Sequence, residues 1–188
     1  MSNADIFGSI RASQEAAMQA SVTTERVAVL YEAHREEIYR FLVGQGLEPA
    51  KAQELAQDVF MKLFVAMTKG SEILSEQAWL YGVASKLAVD YWRREGRSMW
   101  IELDSFPAMA ESLRSSEPTP EANYVRNDRL KRVAKAMARL PKEQRLGIHL
   151  RMQGLRYREI AGILGVSVST AAEWLSIGVE RLRSAANE

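Results

Sequence analysis

The sequence contains no cysteine and only five prolines among its 188 residues. The missing thiols exclude disulfide bonds and thiolate metal sites, and they are compatible with a reducing compartment. No apolar run approaches the roughly 20 residues that a bilayer-spanning helix needs, and the polar N-terminus lacks the pattern of a secretory signal. Apolar residues make up 47% of the chain, which is too much for general disorder. We therefore expect a folded cytoplasmic protein without membrane insertion.

Basic and acidic residues nearly cancel over the whole chain, but the basic ones are concentrated in one part of it. The formal net charge is only +1, yet residues 98–121 sum to −4 and residues 122–158 sum to +9. Such asymmetry favours a polyanionic partner for the basic segment. A solvated helix face beside a charged linker would give the same numbers, and charge alone does not separate the two interpretations.

Apolar residues recur at helical spacing along almost the whole chain, as at Val27, Leu30, Tyr31 and Ile38. This rhythm breaks between residues 96 and 121, where Pro118 and Pro120 disfavour helix. The pattern predicts an all-α fold of two small helical domains joined by a flexible acidic linker. The predicted divisions are an N-terminal extension 1–24, a first domain 25–97, a linker 98–121 and a second domain 122–188.

The stretch from Tyr157 to Leu175 has the features of a helix-turn-helix. Ala161 is small enough for a second helix to cross closely, and Gly165 suits a left-handed helix end. Ser167 or Ser169 can cap the second helix. The inner side of that helix would carry Ala171, Leu175, Gly178 and Leu182. A plain helical hairpin shares the glycine corner, but the small residues and the caps favour DNA binding, with the second helix in the major groove.

Two stretches of the first domain also carry recognisable patterns. Between residues 52 and 64, the spacing of Leu55, Val59 and Phe60 predicts a buried face and leaves other positions to face outward. Between residues 78 and 97, aromatic and basic side chains alternate, as in proteins that bind single-stranded nucleic acid. These side chains are Trp79, Tyr81, Lys86, Tyr91, Trp92, Arg93, Arg94 and Arg97. Some of these aromatic rings could instead belong to a core, which is the preferred interpretation for Trp79.

In this order, the three motifs resemble a bacterial RNA polymerase sigma factor of the extracytoplasmic-function group, the smallest members of the sigma-70 family. The resemblance covers residues 25–97 and 122–185. It implies partnership with core RNA polymerase, through the clamp coiled coil of the largest subunit and the flap of the second-largest, and with promoter DNA. It also implies regulation by an anti-sigma factor and a linker that runs toward the RNA exit path.

The resemblance assigns roles to particular residues of this sequence. The polymerase-binding residues would be Glu54, Leu55, Gln57, Asp58 and Phe60. The loop 68–75 and the helix 77–94 would melt and read the −10 element, through Tyr81, Ser85, Lys86, Tyr91, Trp92, Arg93 and Arg94. The −35 element would be bound by Arg156, Tyr157, Ser167, Ser169, Thr170, Glu173 and Trp174. No enzymatic activity, cofactor or metal site is expected, because the two histidines, His34 and His149, stand far apart without clustered carboxylates.

The second helix of the helix-turn-helix departs from the family pattern of several lysines and arginines. Here those positions carry Ala172, Trp174, Ile177 and Val179. The apolar side chains could contact bases, dock a protein partner, or pack against the rest of the chain; packing or an interface is the preferred explanation. The −10 helix also departs, because Ser85 and Lys86 stand where the family commonly has arginine and asparagine.

Two other functions are compatible with the motifs. The chain could be a sigma-like mimic that sequesters an anti-sigma factor without productive promoter binding, which the weakly basic recognition helix motivates. It could also be a conventional helix-turn-helix repressor, which would require a dimer and a palindromic site.

Overall fold

The computed structural model of the chain describes residues 3–95 and 120–187. These parts contain seven helices and no strand, so the predicted all-α fold is confirmed. The helices are α1 (Asn3–Gly44), α2 (Pro49–Thr68), α3 (Glu76–Arg94), α4 (Pro120–Arg139), α5 (Lys142–Met152), α6 (Tyr157–Leu164) and α7 (Val168–Asn187). Residues 98–119 of the predicted linker lie outside the described residues. Its last two positions belong to α4, which begins at Pro120, because proline is tolerated in the first turn of a helix.

The predicted N-terminal extension continues without a break into the first domain. Helix α1 runs for 42 residues, from Asn3 to Gly44. Thr23 and Leu30 of α1 are buried. Met18 and Val22, which come before them in the sequence, are exposed. The second half of α1 also carries Ile38, Phe41 and Leu42, which are buried where this helix packs against α2 and α3.

Helices α1, α2 and α3 form a bundle around one apolar core. Ile38, Leu42, Val59, Leu63 and Leu80 are fully buried at its centre. At the start of α3, the Ser75 hydroxyl accepts a hydrogen bond from the Ala78 backbone N–H at 3.3 Å. At the other end, the Trp92 indole N–H donates to the Gln45 carbonyl at 3.2 Å, which joins the C-terminal ends of α3 and α1. Both ends of α3 are thus held in place.

Helices α4 to α7 form the second unit, with α7 packed against the other three. The closest approach is at Gly178 of α7, where a Cβ atom would lie 2.7 Å from Ile148 Cδ1. A larger residue at this position would displace the Ile148 side chain, so glycine favours the close approach of α7 to α5. No single described helix is long and apolar enough to cross a membrane; only α6 and α7 taken together satisfy that test, and a bend of 100° separates them.

Candidate nucleic-acid interface

Helices α6 and α7 have the geometry of a helix-turn-helix. They meet at a bend of 100°, within the range typical of that motif. Gly165 ends α6 in the left-handed conformation with φ of 69°, as predicted. Of the two candidate caps, Ser167 does the capping, because its hydroxyl accepts a hydrogen bond from the Thr170 backbone N–H at 3.1 Å. The turn is therefore fixed by the residue types that the sequence pattern identified.

The inner side of the motif is packed as the spacing predicts. Ala161 of α6 is buried, as are Ala171, Leu175 and Gly178 of α7, and Leu182 is partly buried against the core. Small side chains at the crossing allow the two helices to approach closely. This packing fixes which side of α7 faces outward.

The outward side of α7 carries little positive charge. Ser167, Ser169 and Glu173 are exposed, and Thr170 and Trp174 are half-buried. Farther along the helix, Arg183 forms an ion pair with Glu180 at 3.2 Å. Ile177 lines a groove of about 650 Å³ between α4 and α7. The position of Ile177 in this groove is compatible with packing or an interface rather than with contact to bases.

More cationic groups lie beside α6 than along α7. Arg156, Tyr157 and Arg158 are exposed at the start of α6, and the Arg151 guanidinium stands 5.4 Å from the centre of the Tyr157 ring. The Glu159 carboxylate accepts a hydrogen bond from the Arg156 backbone N–H at 2.7 Å. This bond lowers the pKa of Glu159, and the nearby Ser75 side chain contributes to the same shift. The N-terminus of α6 thus presents arginine side chains on a firmly capped turn.

Helix α2 is amphipathic, with polar residues on its exposed side and apolar residues on its buried side. Glu54, Gln57 and Asp58 are exposed, as predicted from the spacing. Leu55 and Phe60, also predicted as polymerase contacts, are buried in the core, and the Phe60 ring stands edge-on to Tyr31 at 5.0 Å. Direct contact through these two side chains is not possible in this conformation, because they are buried in the core. They hold α2 in position instead.

Three of the residues predicted to bind the −10 element are also buried. Tyr81 is 1% exposed, Ser85 is 4% exposed and Trp92 is 6% exposed. The Ser85 hydroxyl donates to the Tyr81 carbonyl at 2.7 Å. These three side chains are covered and cannot contact DNA in this conformation. The prediction that they contact the −10 element directly therefore does not hold for this conformation. The signal was available in the sequence, since positions 81, 85, 88 and 92 follow the spacing of a single helix face.

The remaining predicted residues of α3 lie on its accessible side. Lys86, Arg93 and Arg94 are exposed, and Arg93 forms an ion pair with Asp90 at 3.0 Å. Tyr91 is half-buried, with the Lys51 ammonium 5.6 Å from the centre of its ring. An aromatic ring and several cations therefore remain available together near the C-terminal end of α3.

Comparison with known proteins agrees with this geometry. Residues 30–98 match the family described as Sigma-70 region 2, and residues 130–182 match the family described as Sigma-70, region 4. The chain belongs to the extracytoplasmic-function group of the sigma-70 family. Region 2 corresponds to the bundle of α1 to α3, and region 4 to the unit that contains the helix-turn-helix.

Relatives from three bacteria share between 24% and 28% of their residues with the chain. It is 26% identical to the ECF RNA polymerase sigma factor SigE of Mycolicibacterium smegmatis, over 82% of this chain and 59% of SigE. It is 24% identical to the ECF RNA polymerase sigma factor SigX of Bacillus subtilis, over 85% of this chain and 82% of SigX. The ferric citrate uptake sigma factor FecI of Escherichia coli is 28% identical, over 89% of this chain and 93% of FecI. The match thus spans less than two thirds of SigE but most of the other two.

Regions 2 and 4 touch each other in the described parts of the chain. Their contact runs through α3 and α6, with further hydrogen bonds at the ends of α1 and α5. At this junction, His149 is almost fully buried, and burial together with the nearby Arg145 lowers its pKa to about 4. Burial also raises the pKa of Tyr81, so that its hydroxyl stays protonated and acts as a donor.

Among the described residues, no group of three or more His, Asp or Glu side chains is placed to hold a metal ion.

Proposed function

We propose that this sigma factor binds core RNA polymerase through α2, reads and melts the −10 element with α3 and the loop before it, and binds the −35 element as duplex with α7. The observation that carries the proposal is the outward face of α2. It presents Glu54, Gln57 and Asp58 on a helix whose opposite side is locked into the core. An exposed polar face on a rigid support is suited to specific protein recognition.

Strand opening would depend on the accessible side of α3. Tyr91, Lys86, Arg93 and Arg94 combine a ring that can stack on an unpaired base with cations that can hold phosphates. Capturing unstacked non-template bases lowers the free energy of the open state relative to the duplex. This role requires no chemical step, since the polymerase itself synthesises RNA.

Duplex binding would be shared between α7 and the start of α6. Ser167, Ser169 and Glu173 lie at the N-terminal end of α7, where a recognition helix meets base edges. Arg156 and Arg158 would supply phosphate contacts. Because each phosphate contact contributes about 0.9 to the slope of log affinity against log salt, a weakly basic α7 should give a shallow dependence.

Charge reversal on α2 tests the proposal. Asp58→Arg should weaken binding to core polymerase at least tenfold and abolish promoter-specific transcripts, while leaving thermal unfolding unchanged, because Asp58 is exposed. Glu25→Arg on α1 is a matched control, since it makes the same charge change at another exposed site. Failure of the wild-type chain to bind core polymerase would overturn the proposal.

The weakly basic α7 also favours a second candidate, a mimic that sequesters an anti-sigma factor. Both candidates expect an anti-sigma partner, which purification from the native host would recover. The mimic would bind that partner tightly and yield no promoter-specific transcript with core polymerase. A transcript that starts at a defined site would reject it.

A further inference from the structure

An ion pair joins α1 to the first residue of α3. The Nε and Nη2 atoms of Arg26 donate hydrogen bonds of 2.9 and 2.8 Å to the two carboxylate oxygens of Glu76. These residues are 50 positions apart, whereas Arg35, Arg40 and Arg93 pair with carboxylates three or four positions away on their own helix. Two parallel bonds from a planar guanidinium fix the orientation of a carboxylate as well as its distance. Arg26 therefore holds the start of α3 in a defined position against α1.

The part of α1 that carries Arg26 is itself packed. Thr23, three residues earlier, is 9% exposed, and Val27, the next residue, is half-buried against the apolar core. Arg26 lies before residues 30–98, the part of the chain that matches region 2. Through this ion pair, a segment that precedes the matched part of the chain contacts the start of the −10 helix.

Glu76 directly follows the loop between α2 and α3, residues 69–75. Near one end of this loop, Gly70 adopts a left-handed conformation with φ of 71°. At the other end, the Ser75 hydroxyl caps α3, and the neighbouring Leu74 is 91% exposed. Because the loop is short and its last residue is bonded to α3, a shift of Glu76 would displace the loop as well.

The ion pair also neutralises a negative charge on this surface. The Glu76 carboxylate lies in the first turn of α3, where the helix dipole stabilises it, and its side chain is 25% exposed. The loop and the accessible side of α3 would face a polyanion, so an unpaired carboxylate at this position would repel phosphates. The guanidinium of Arg26 offsets this charge and fixes its position.

We propose that Arg26 is a positioning residue for promoter recognition, which acts through Glu76 to hold the start of α3 and the loop 69–75 in the orientation that reads the −10 element. The inference rests on the proposed function. It assigns a role to a residue that precedes the segment matching region 2. Arg26 acts on the loop and does not itself contact DNA.

A double-mutant cycle tests the role of the pair. The measurement is a ratio of transcript yields with core polymerase, from a promoter located by 5′-end mapping and from the same promoter with one −10 base substituted. Arg26→Gln and Glu76→Gln should each lower this ratio about fivefold, and the double variant should lower it no further, because the two side chains act as a unit. Arg40→Gln is the matched control and should leave the ratio unchanged. It removes the same charge at a similar exposure, 59% against 56%, from an ion pair that lies within α1.

Two further measurements separate positioning from a general loss of structure. Affinity for core polymerase should be unchanged, and the melting temperature should shift no more in Arg26→Gln than in Arg40→Gln, because exposed ion pairs contribute little to stability. The reversed pair, Arg26→Glu with Glu76→Arg, should recover most of the lost discrimination. Recovery should be incomplete, because an arginine in the first turn of α3 opposes the helix dipole.

Hydrogen exchange of the free chain measures the positioning without polymerase. The backbone N–H groups of Ala78 and Trp79 are bonded to Ser75. They should exchange about fivefold faster in Arg26→Gln than in wild type, and at the wild-type rate in Arg40→Gln. Equal exchange rates in wild type and Arg26→Gln would overturn the claim that Arg26 holds the start of α3.

The outcomes of the cycle separate this role from its alternatives. A loss of discrimination in Arg26→Gln without one in Glu76→Gln would mean that Arg26 contacts DNA directly, and it would overturn the positioning role. Losses that add in the double variant, or an unchanged ratio in Arg26→Gln, would also refute it. If the wild-type chain directs no promoter-specific transcript, the proposed function has failed, and the role in reading the −10 element fails with it. Hydrogen exchange would then still decide whether Arg26 holds the loop.

Discussion

Acidification should destabilise the folded chain through one imidazole. Burial and the charge of Arg145 lower the pKa of His149 to about 4, whereas an unfolded histidine has a pKa of 6.5. The unfolded chain therefore binds the proton more readily than the folded one. The stabilisation from keeping His149 neutral is complete above pH 6.5, is lost progressively as the pH falls toward 4, and then levels off.

The size of the effect follows from the difference between the two pKa values. Linkage gives a loss of about 2 kcal/mol at pH 5 and a limit of about 3 kcal/mol at still lower pH. Other groups also titrate in this range, so the comparison needs a variant. His149→Gln retains a neutral side chain that can bond to Gln45 and lacks the proton-binding group.

Urea unfolding of both proteins between pH 7.5 and 5 provides the measurement. The free energy of unfolding of wild type should fall by about 2 kcal/mol more than that of His149→Gln. Parallel pH profiles would refute the argument. A measured His149 pKa near 6.5 in the folded chain would show that region 2 does not cover the imidazole, which would also contradict the buried contact between Gln45 and His149.

Three further predictions concern stability and partner binding. Gly178→Val should lower the free energy of unfolding by about 2 kcal/mol, because a Cβ atom would meet Ile148 Cδ1 at 2.7 Å. Gly162→Ala should stabilise α6 by up to about 1 kcal/mol, because nothing lies within 4 Å of a Cβ atom there. Urea denaturation compares the two variants, and equal free energies of unfolding would contradict the packing. Ser167→Ala should cost about 1 kcal/mol by removing the α7 cap, and an unchanged melting temperature would argue against that cap. In a binding titration with core polymerase, Asp58→Ala should weaken the complex about fivefold without altering the melting temperature, and unchanged affinity would remove Asp58 from the interface.

Local chemistry made the helix-turn-helix predictable. Gly165 at a left-handed helix end, Ser167 as a cap and Ala161 at the crossing each depend on neighbours a few residues away. A pattern of residue types can therefore identify them. The buried face of α2 is predictable for the same reason, since helical spacing alone assigns Leu55 and Phe60 to the core.

Contacts between distant parts of the chain were not predictable in this way. Helical spacing assigns the Tyr81 ring to the core, where it packs against Phe41, but nothing near Tyr81 in the sequence signals the hydrogen bond from its hydroxyl to Gln153. The Gln45–His149 pair joins residues 104 positions apart, and nothing near either residue signals the other. The sequence assigns His149 to no site, and only the packing of region 4 against region 2 reveals it as part of a buried junction.

Mapping the 5′ ends of RNA tests the central claim most directly. The purified chain would be added to core polymerase on fragments of the native genome, and transcripts would be compared with those from core polymerase alone and with Asp58→Arg. We predict discrete start sites that share upstream −10 and −35 sequences, present with the wild-type chain and lost with Asp58→Arg. Start sites that match those of core polymerase alone would contradict the account.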